Sequence, residues 1–395
     1  MAADGRKPRV LQVLPRLVSG GVERGTIEIS AALAAAGWGS YVASAGGKMT
    51  HELARHGATH ITLPLAAKNP FVMHGNIARL VGLIEEHGID LIHARSRAPA
   101  WSAWTASRRA ERHFVTTFHN AYGDGTRLRR WYNSVMARGE RVIAISHFVA
   151  EHAAGVYGLG PDRLRVIQRG VDLTRFDPQR ISAERLIQLA TRWRLPDDRP
   201  IVMLPGRLTR WKGQLDLVAA IAALGRKDLM CLLVGSDDGR PSFRHELERT
   251  IAASGLGGVF HLVDDCNDMP AALMLADVVV SASNRPEGFG RVIVEAQAMG
   301  RPVIATDHGG ARETVLPGQT GWLVPPGETQ PLADAIAKAL SLTPEQRANL
   351  AERAIGHARS YFGIERMCAE TLAVYREILF SSERADAVAL DPEAA

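Results

Sequence analysis

Residues 283–297 decide the fold and read Ser-Asn-Arg-Pro-Glu-Gly-Phe-Gly-Arg-Val-Ile-Val-Glu-Ala-Gln. They follow the short, Val-rich run at residues 276–280, which predicts a buried parallel strand, and they lead into a predicted helix. The loop between them therefore lies at the carboxyl end of a strand, where open α/β sheets bind ligands. Gly288 and Gly290 let backbone N–H groups approach a ligand, and the positive dipole end of the next helix favours phosphate.

Two carboxylates flank this glycine loop. Glu287 lies before it, and Glu295 lies eight positions later, about one turn into the predicted helix. Carboxylates accept hydrogen bonds, so they suit the hydroxyl groups of a sugar and not a phosphate. A simple strand, turn and solvated helix start is the alternative, but the second carboxylate and the adjacent Pro286 favour a site.

Length and composition predict a soluble protein of two domains. The 395 residues are too many for one core, and 46% are hydrophobic and 23% charged. No run approaches the roughly 18 apolar residues that span a bilayer. The chain leads directly into an apolar stretch at residues 9–14, which is too short for a secretion signal. We therefore expect a cytoplasmic protein, either free or peripheral on the inner face of the cell membrane.

Positive charge is concentrated in the first half of the chain. Residues 1–180 contain 24 Lys and Arg against 14 Asp and Glu, whereas the remainder contains 23 against 28. The basic half should face an anionic partner. No zinc-finger spacing or ribonucleoprotein-type aromatic motif accompanies the charge, so nucleic acid is not expected. An anionic membrane surface or an anionic glycolipid acceptor explains the charge as well.

Residues 122–141 interleave Arg side chains with Trp and Tyr. This pattern suits a surface that lies against anionic headgroups with its rings at the interface. The alternative is a solvated helix with some aromatic side chains in the core.

Apolar runs alternate with helical patterns through both halves, which predicts parallel sheets with helices on both faces. In the first half the predicted strands are residues 9–14, 41–45, 61–63, 91–94, 114–118 and 142–145. In the second half they are residues 201–204, 231–235, 259–263, 276–280 and 303–306. The turn-rich Pro-Asp-Asp-Arg-Pro at residues 196–200 marks a break between the halves.

A second candidate loop, Pro-Gly-Arg-Leu-Thr-Arg-Trp-Lys-Gly at residues 205–213, follows the strand predicted at residues 201–204. Its cations Arg207 and Lys212 are five positions apart. Arg offers phosphate a planar fork and Lys a mobile point charge, so together they can neutralise a diphosphate. Two unrelated surface cations are the less favoured alternative.

Several polar residues lie at strand ends in the first half. Gly20 and Gly21 form a loop that is compatible with phosphate, but with Gly25 they do not match the Gly-x-Gly-x-x-Gly dinucleotide fingerprint. A nicotinamide or flavin enzyme is therefore not supported. Arg95 and Arg97 follow the strand at residues 91–94, and either bind an anionic acceptor or solvate a helix start.

The Glu-x7-Glu spacing, together with residues 205–213, resembles the motifs of retaining GT-B glycosyltransferases of family 4, and the resemblance covers nearly the whole chain. It implies an α/β fold with two Rossmann-like, doubly wound parallel-sheet domains that face a cleft. We expect an acceptor-side domain at residues 1–185 and a nucleotide-sugar-binding domain at 186–362. A helix at 363–383 should cross back to the first domain, and 384–395 should form a flexible tail.

The resemblance also implies roles for individual residues. The implied catalytic residues are Glu287, Arg207, Lys212 and His119. The implied donor-binding residues are Gly20, Gly21, Gly206, Arg207, Lys212, Gly288, Phe289, Gly290 and Glu295. The acceptor-side candidates are Arg95, Arg97 and Ser146. Residues 166–172 are similar to the family's Asn-Gly-Val-Asp segment, but Arg169 replaces Asn, so the contact made from that position is not carried over.

The implied reaction moves a hexose from a UDP- or GDP-sugar to a hydroxyl of a glycan or glycolipid, with retention of anomeric configuration. No metal or other cofactor is expected, and the sequence has no Asp-x-Asp pair. Residues 97–101 and 205–213 look most like bacterial enzymes that build lipopolysaccharide core or related surface glycans. Two alternatives are a sugar-nucleotide epimerase on the same fold and a non-catalytic two-domain ligand-binding protein.

Overall fold

The computed structural model describes residues 6–18, 20–123, 125–239, 241–264 and 266–380. The described chain forms two compact units. The first unit comprises the residues up to Arg169 and those from Glu365 onward, and the second unit is Gly170–Ile364. The predicted tail at residues 384–395 and the last positions of the predicted 363–383 segment lie outside the described residues.

The boundary between the units precedes the expected one at residue 185. Residues 170–185 belong to the second unit. The guanidinium of Arg185 makes an ion pair with Asp268, with an Nε to Oδ2 distance of 2.5 Å. This contact joins residues far apart in the sequence, so the turn-rich break alone did not reveal it.

Within the described residues, the first unit contains a parallel sheet in the order β3-β2-β1-β4-β5-β6-β7. Its strands are β1 Arg9–Val13, β2 Gly39–Ser44, β3 Thr59–Thr62, β4 Leu91–Ala94, β5 His113–Phe118, β6 Arg141–Ala144 and β7 Leu164–Val166. In the register, Val10 of β1 lies opposite Ser40 of β2 and Leu91 of β4. The sequence did not predict β7, because this short strand is only half-buried and contains Arg165.

The described part of the second unit contains a second parallel sheet, in the order β10-β9-β8-β11-β12-β13. Its strands are β8 Ile201–Pro205, β9 Met230–Val234, β10 Phe260–Val263, β11 Val278–Ser281, β12 Val303–Thr306 and β13 Trp322–Val324. Both sheets confirm the predicted α/β architecture. Strands such as β8 and β12 are buried along their whole length, as expected for parallel strands with helices on both faces.

Helices connect the strands and cover the sheets. In the first unit they are α1 Gly21–Ala35, α2 Thr50–Arg55, α3 Pro70–His87, α4 Arg97–Arg109, α5 Arg127–Asn133 and α6 His147–Tyr157. In the second unit they are α7 Ala183–Trp193, α8 Gln214–Leu224, α9 Pro241–Ala253, α10 Met269–Leu275, α11 Arg291–Ala298, α12 Ala311–Thr314, α13 Thr329–Leu340 and α14 Pro344–Tyr361. Short 3-10 helices occur at Ser134–Ala137, Pro178–Arg180 and Arg210–Lys212.

The last described helix, α15 Ile364–Leu379, packs on the first sheet. Its apolar face joins one core with strand residues such as Val10 and Leu91. Tyr375 is fully buried there, and its hydroxyl lies 2.6 Å from Nδ1 of the equally buried His93. Because each fully buried large apolar side chain contributes about 1.5–3 kcal/mol, α15 is an integral part of the first unit.

Among the described helices, none combines the length and the apolar character that spanning a membrane would need.

Candidate active site

Two of the predicted loops leave the same edge of the second sheet because their strands are neighbours. β8 and β11 lie side by side, with Val202 opposite Val278. The other neighbour of β8 is β9, so the chain changes direction across the sheet at β8. Ligands of open α/β sheets bind at such a switch point. The loop at residues 205–213 follows β8, and the loop at residues 282–290 follows β11. Both loops therefore lie at this switch point.

Backbone contacts hold these two loops together. The N–H of Asn284 donates to the carbonyl oxygen of Trp211 at 2.9 Å. Gly213 has a φ of 76° and lies so close to the carbonyl of Ala282 that a Cβ would overlap it. Only glycine meets both the conformational and the steric requirement at this position.

Lys212 and Glu287 form an ion pair across the two loops. The Nζ of Lys212 lies 2.7 Å from Oε1 of Glu287, and the side chains are 15% and 20% exposed. The hydroxyl of Ser283 donates to the same oxygen. The Lys212 ammonium also lies 4.5 Å from the centre of the Trp211 ring. The structure therefore pairs Lys212, which was expected to bind the diphosphate, with Glu287, which was expected to bind the sugar.

Arg207 presents its guanidinium to solvent beside this pair of loops. The side chain is 63% exposed, and its Nη1 lies 3.4 Å from Oδ2 of Asp238. The backbone is held more firmly, because the buried Gln214 donates to the carbonyl oxygen of Arg207 at 2.9 Å. Gly206 packs so closely against Gly235 that a Cβ on Gly235 would overlap its carbonyl. A hydrogen-bonded backbone thus carries an exposed cation.

The glycine loop at residues 288–290 rests on a second glycine pair. The N–H of Gly310 donates to the carbonyl oxygen of Glu287 at 2.9 Å, and a Cβ on Gly310 would overlap the backbone of Phe289. The Phe289 ring is buried and packs edge-on against Phe362, with centroids 5.5 Å apart. Phe289 therefore presents backbone, not its ring, at the loop. Gly290 caps α11 without a side-chain hydrogen bond to the first-turn N–H groups.

Glu295 lies in the second turn of α11 and is 8% exposed. Its Oε1 lies 2.8 Å from Nε of Arg291, one turn earlier. The distance makes an ion pair, but Nε of Arg291 has no hydrogen-bond partner within the described chain. The N–H direction therefore does not suit the carboxylate. The role of Glu295 as a ribose-binding residue stays a prediction.

The sequence did not single out His308, which lies beside Glu287. A small cavity is lined by both residues, together with Ser283, Thr306 and Gly290. Both ring nitrogens of His308 are buried and have no hydrogen-bond partner among the described residues. Such unsatisfied groups are rare in native proteins. Its position directly before the Gly309–Gly310 pair was the available signal.

In the first unit, Gly20 and Gly21 form the start of α1. Gly20 is the N-cap residue with a φ of 125°, a conformation that favours glycine, and both glycines are exposed. The guanidinium of Arg169 donates to the carbonyl oxygen of Gly21. The glycine loop is therefore bound from one side by the residue that departs from the family motif.

His119 follows β5 and is neutral at neutral pH. Burial, followed by the positive charges of Arg95 and Arg169, holds the pKa of His119 well below its usual value. Its Nε2 is buried and has no hydrogen-bond partner in the described part of the chain. A neutral imidazole with an unused nitrogen can donate to or accept from a sugar hydroxyl, according to its tautomer.

The acceptor-side candidates separate into two kinds. Arg95 is 3% exposed and points into the first unit. Arg97 donates to Oδ1 of Asn133 at 2.9 Å and lies 4.3 Å from the centre of the Tyr122 ring. Ser146 is fully buried, and its hydroxyl accepts from the Val149 N–H as the cap of α6. These contacts account for Arg97 and Ser146 without a ligand, so their acceptor roles stay predictions.

No group of three or more His, Cys, Asp or Glu side chains that could hold a metal ion was found among the described residues. The expectation that the reaction needs no metal stays a prediction.

Two protein families match this chain. Residues 19–175 match Glycosyltransferase Family 4, and residues 188–357 match Glycosyl transferases group 1.

Similar curated proteins include D-inositol 3-phosphate glycosyltransferases of two bacteria. The enzyme of Xylanimonas cellulosilytica is 30% identical over 311 residues, which are 73% of this chain and 72% of the relative. That of Actinosynnema mirum is 34% identical over 252 residues, which are 61% of this chain but only 58% of the relative.

Solved structures resemble the chain over nearly its whole length. A glycosyltransferase from Rickettsia africae has a TM-score of 0.88 and 37% identity, covering 95% of this chain and 99% of that one. Anabaena Alr3699/HepE in complex with UDP and glucose has a TM-score of 0.82 and 26% identity, covering 93% and 100%. The chain therefore belongs to glycosyltransferase family 4, and it is a glycosyltransferase with the GT-B fold.

Proposed function

We propose that this enzyme transfers a hexose from a UDP- or GDP-sugar to a hydroxyl of a glycan or glycolipid acceptor, with retention of anomeric configuration. The observation that carries the proposal is the Lys212–Glu287 pair at the switch point of the second sheet, 2.7 Å apart. A similar protein, Anabaena HepE, has been solved with UDP and glucose, which supports a nucleotide-sugar donor.

The residues of the second unit suit the charge that develops during transfer. The donor's diphosphate gains negative charge as the bond to the sugar breaks, and Arg207 and Lys212 can stabilise it. Backbone N–H groups of residues 288–290 and the start of α11 add donors for phosphate oxygens. Glu287 would hold the sugar, and Glu295 would hold the ribose hydroxyls. Fixed donors that need no reorganisation lower the barrier most.

The first unit would supply the acceptor side and the rest of the sugar contact. His119 is neutral, so it can share a hydrogen bond with the transferred sugar without adding charge. Gly20 and Gly21 leave backbone exposed at the start of α1. The curated relatives act on D-inositol 3-phosphate by name and do not single out lipopolysaccharide core. A surface-glycan pathway therefore stays part of the proposal.

Nucleoside diphosphates are expected to stabilise the protein against unfolding. Of UDP and GDP, the one whose base the site binds more tightly should raise the melting temperature more. A ligand at 100 times its Kd adds about 2.7 kcal/mol to the free energy of unfolding. Thermal unfolding with UDP, GDP, ADP and free phosphate measures this directly. The Lys212→Ala variant should lose most of the shift. Equal melting temperatures with and without every nucleotide would contradict the proposal.

The products formed with and without an acceptor separate transfer from epimerisation. A sugar-nucleotide epimerase would convert the sugar of the donor when no acceptor is present. The family match favours transfer, and the arginine and lysine pair would have little use in a non-catalytic binding protein. Recovery of an altered nucleotide sugar from donor alone would favour the epimerase.

We further propose that the first unit contacts an anionic membrane through α5. Within this helix, Leu128 is 74% exposed and Trp131 is 57% exposed. Arg127, Arg129 and Arg130 are exposed beside them. Trp131 stacks on Trp101 with ring centroids 4.8 Å apart, so its ring is already held in a fixed position. An exposed apolar face beside basic side chains suits a lipid surface.

Replacing Leu128 with serine is expected to weaken binding to vesicles of phosphatidylglycerol several-fold. The reason is that the leucine side chain would be buried among the lipids in the bound state and serine would not gain this apolar contact. Substituting all three α5 arginines should weaken it about a hundredfold, since each basic residue near an anionic surface contributes about 1 kcal/mol. Cosedimentation at two salt concentrations measures both effects. Ile187→Ser, which removes a similarly exposed apolar side chain from α7, is the control. Equal binding by the wild type and these α5 variants would remove the membrane proposal.

A further inference from the structure

Two buried arginines share one small cavity in the first unit. Arg95 follows β4 and is 3% exposed, and Arg169 follows β7 and is 5% exposed. Their side chains line a cavity of about 10 Å³ together with Thr117, Thr371 and apolar side chains. A cavity of this volume holds one oxygen-sized atom. The sequence pointed to Arg95 but not to Arg169.

The charge of Arg95 has no bonded carboxylate within the described residues. Its Nη1 donates to the neutral amide oxygen of Gln12 at 3.3 Å, and its Nε is buried without a hydrogen-bond partner. Burial lowers the pKa of Arg95, and Tyr375 and Glu28 oppose that effect. Oε2 of Glu28 is itself buried and has no hydrogen-bond partner in the described chain. An incompletely paired buried cation costs several kcal/mol, so the arrangement favours an added anion.

Arg169 is held at the first turn of α1. Its guanidinium donates to the carbonyl oxygen of Gly21 and occupies the space where a Cβ of Gly25 would lie. Gly25 is therefore the helix residue that makes room for Arg169. Both arginines also affect His119. Burial is the largest cause of the lowered pKa of His119, and the charges of Arg95 and Arg169 are the next largest. The two cations therefore act electrostatically on the residue that is expected to contact the donor sugar.

We propose that Arg95 and Arg169 form a subsite for an anionic group of the acceptor, whose terminal phosphate or carboxylate oxygen occupies the cavity between them. A planar guanidinium can donate charge-assisted hydrogen bonds to the oxygen atoms of either a carboxylate or a phosphate. The cavity is too small for a sugar ring, so the anionic end alone enters it. The inference rests on the proposed function in one respect: the acceptor binds to the first unit.

Inorganic phosphate is the probe for this subsite. Because phosphate also suits Arg207 and Lys212, calorimetric titrations use the full chain with both of these residues changed to alanine. This parent is expected to bind phosphate, and adding Arg169→Asn should weaken binding about tenfold to a hundredfold, the usual loss for a charged hydrogen bond. Arg169→Asn introduces the family's own residue. Arg169→Lys keeps the charge but not the fork, and should give an intermediate affinity.

Gly25→Ala tests the geometry while leaving both arginines present. Alanine favours a helix over glycine by about 1 kcal/mol, so folding should be preserved while the new Cβ displaces the Arg169 guanidinium. Phosphate binding by this variant of the parent should therefore fall about as far as with Arg169→Asn. Arg109→Asn, an exposed change at the end of α4, is the control. Circular dichroism checks the fold of each variant, and Gly25→Ala still tests the subsite if Arg169→Asn does not fold.

Two results would overturn the subsite. Unchanged phosphate affinity after Arg169→Asn or Gly25→Ala would exclude Arg169 as a ligand. Absence of any phosphate or acetate binding to the parent would leave an ordered water as the occupant of the cavity. Acetate titrated in parallel distinguishes a carboxylate from a phosphate. UDP and GDP binding to the wild type tests the proposed function separately, so nucleotide binding without an Arg169 effect overturns the subsite alone.

Discussion

Replacing Lys212 with alanine is expected to reduce the rate of transfer on the order of a hundredfold to a thousandfold, the usual loss when one fixed donor to a developing anion is removed. The ammonium lies 2.7 Å from Glu287 on a 3-10 turn that backbone hydrogen bonds hold in place. The substitution therefore removes the charge that faces the leaving diphosphate, and it also leaves the Glu287 carboxylate without its cation. Initial rates of nucleoside diphosphate release measure the effect.

The fold should survive this substitution. Glu287 keeps the hydroxyl of Ser283 as a hydrogen-bond donor, so we expect a loss of about 1 kcal/mol in the free energy of unfolding. Arg210→Ala is the matched control, because Arg210 belongs to the same 3-10 turn but is exposed and paired with Glu246. Near-normal turnover of Lys212→Ala in a protein with normal circular dichroism would disprove the assigned role.

Changing Glu287 to glutamine is expected to reduce kcat about a hundredfold while nucleotide binding is unchanged or tighter. Glutamine has nearly the same shape as glutamate, but its side chain is neutral and has only one acceptor oxygen. It therefore cannot replace the charged carboxylate that accepts hydrogen bonds from Lys212 and Ser283. Lys212 would lose its counter-charge, so its ammonium would be more available to a diphosphate. The sugar would lose a charged acceptor. Paired calorimetry with UDP or GDP and steady-state kinetics separate the two effects.

Glu246→Gln is the control. Glu246 lies on α9, and its carboxylate pairs with Arg210 of the 3-10 turn. A double-mutant cycle between Lys212→Ala and Glu287→Gln measures their coupling, because residues in contact are not additive. A variant that loses nucleotide affinity but keeps its kcat would reverse the assignment, with Glu287 supporting the nucleotide and not the sugar.

The architecture was predictable because it depends on local patterns. Short apolar runs such as residues 303–306 are typical of parallel strands buried on both faces, and glycine loops such as residues 288–290 mark their carboxyl ends. The edge strand β7 lacked this pattern, since Arg165 bonds to Glu377 of α15 and keeps the strand half-buried.

The side-chain partners at the site were not predictable in the same way. Lys212 and Glu287 are distant in sequence, and their pairing depends on the conformations of two loops that neighbouring strands bring together. The same limit applies to Arg169, whose guanidinium lies over α1, and to His308, which packs beside Glu287. Ser146 shows another limit: its hydroxyl caps α6, as a serine after a strand often does, and its acceptor role stays a prediction.

Helix α15 delays completion of the first unit during translation. The first sheet is complete by Val166, yet its covering helix begins only at Ile364. At typical elongation rates of about 5–20 residues per second, the ribosome needs on the order of 10–40 s to make the intervening segment. The second unit emerges whole in that interval and can reach its native state first. Until the last helix leaves the ribosome, the nascent chain carries an uncovered apolar sheet face, which is when it is most prone to aggregate.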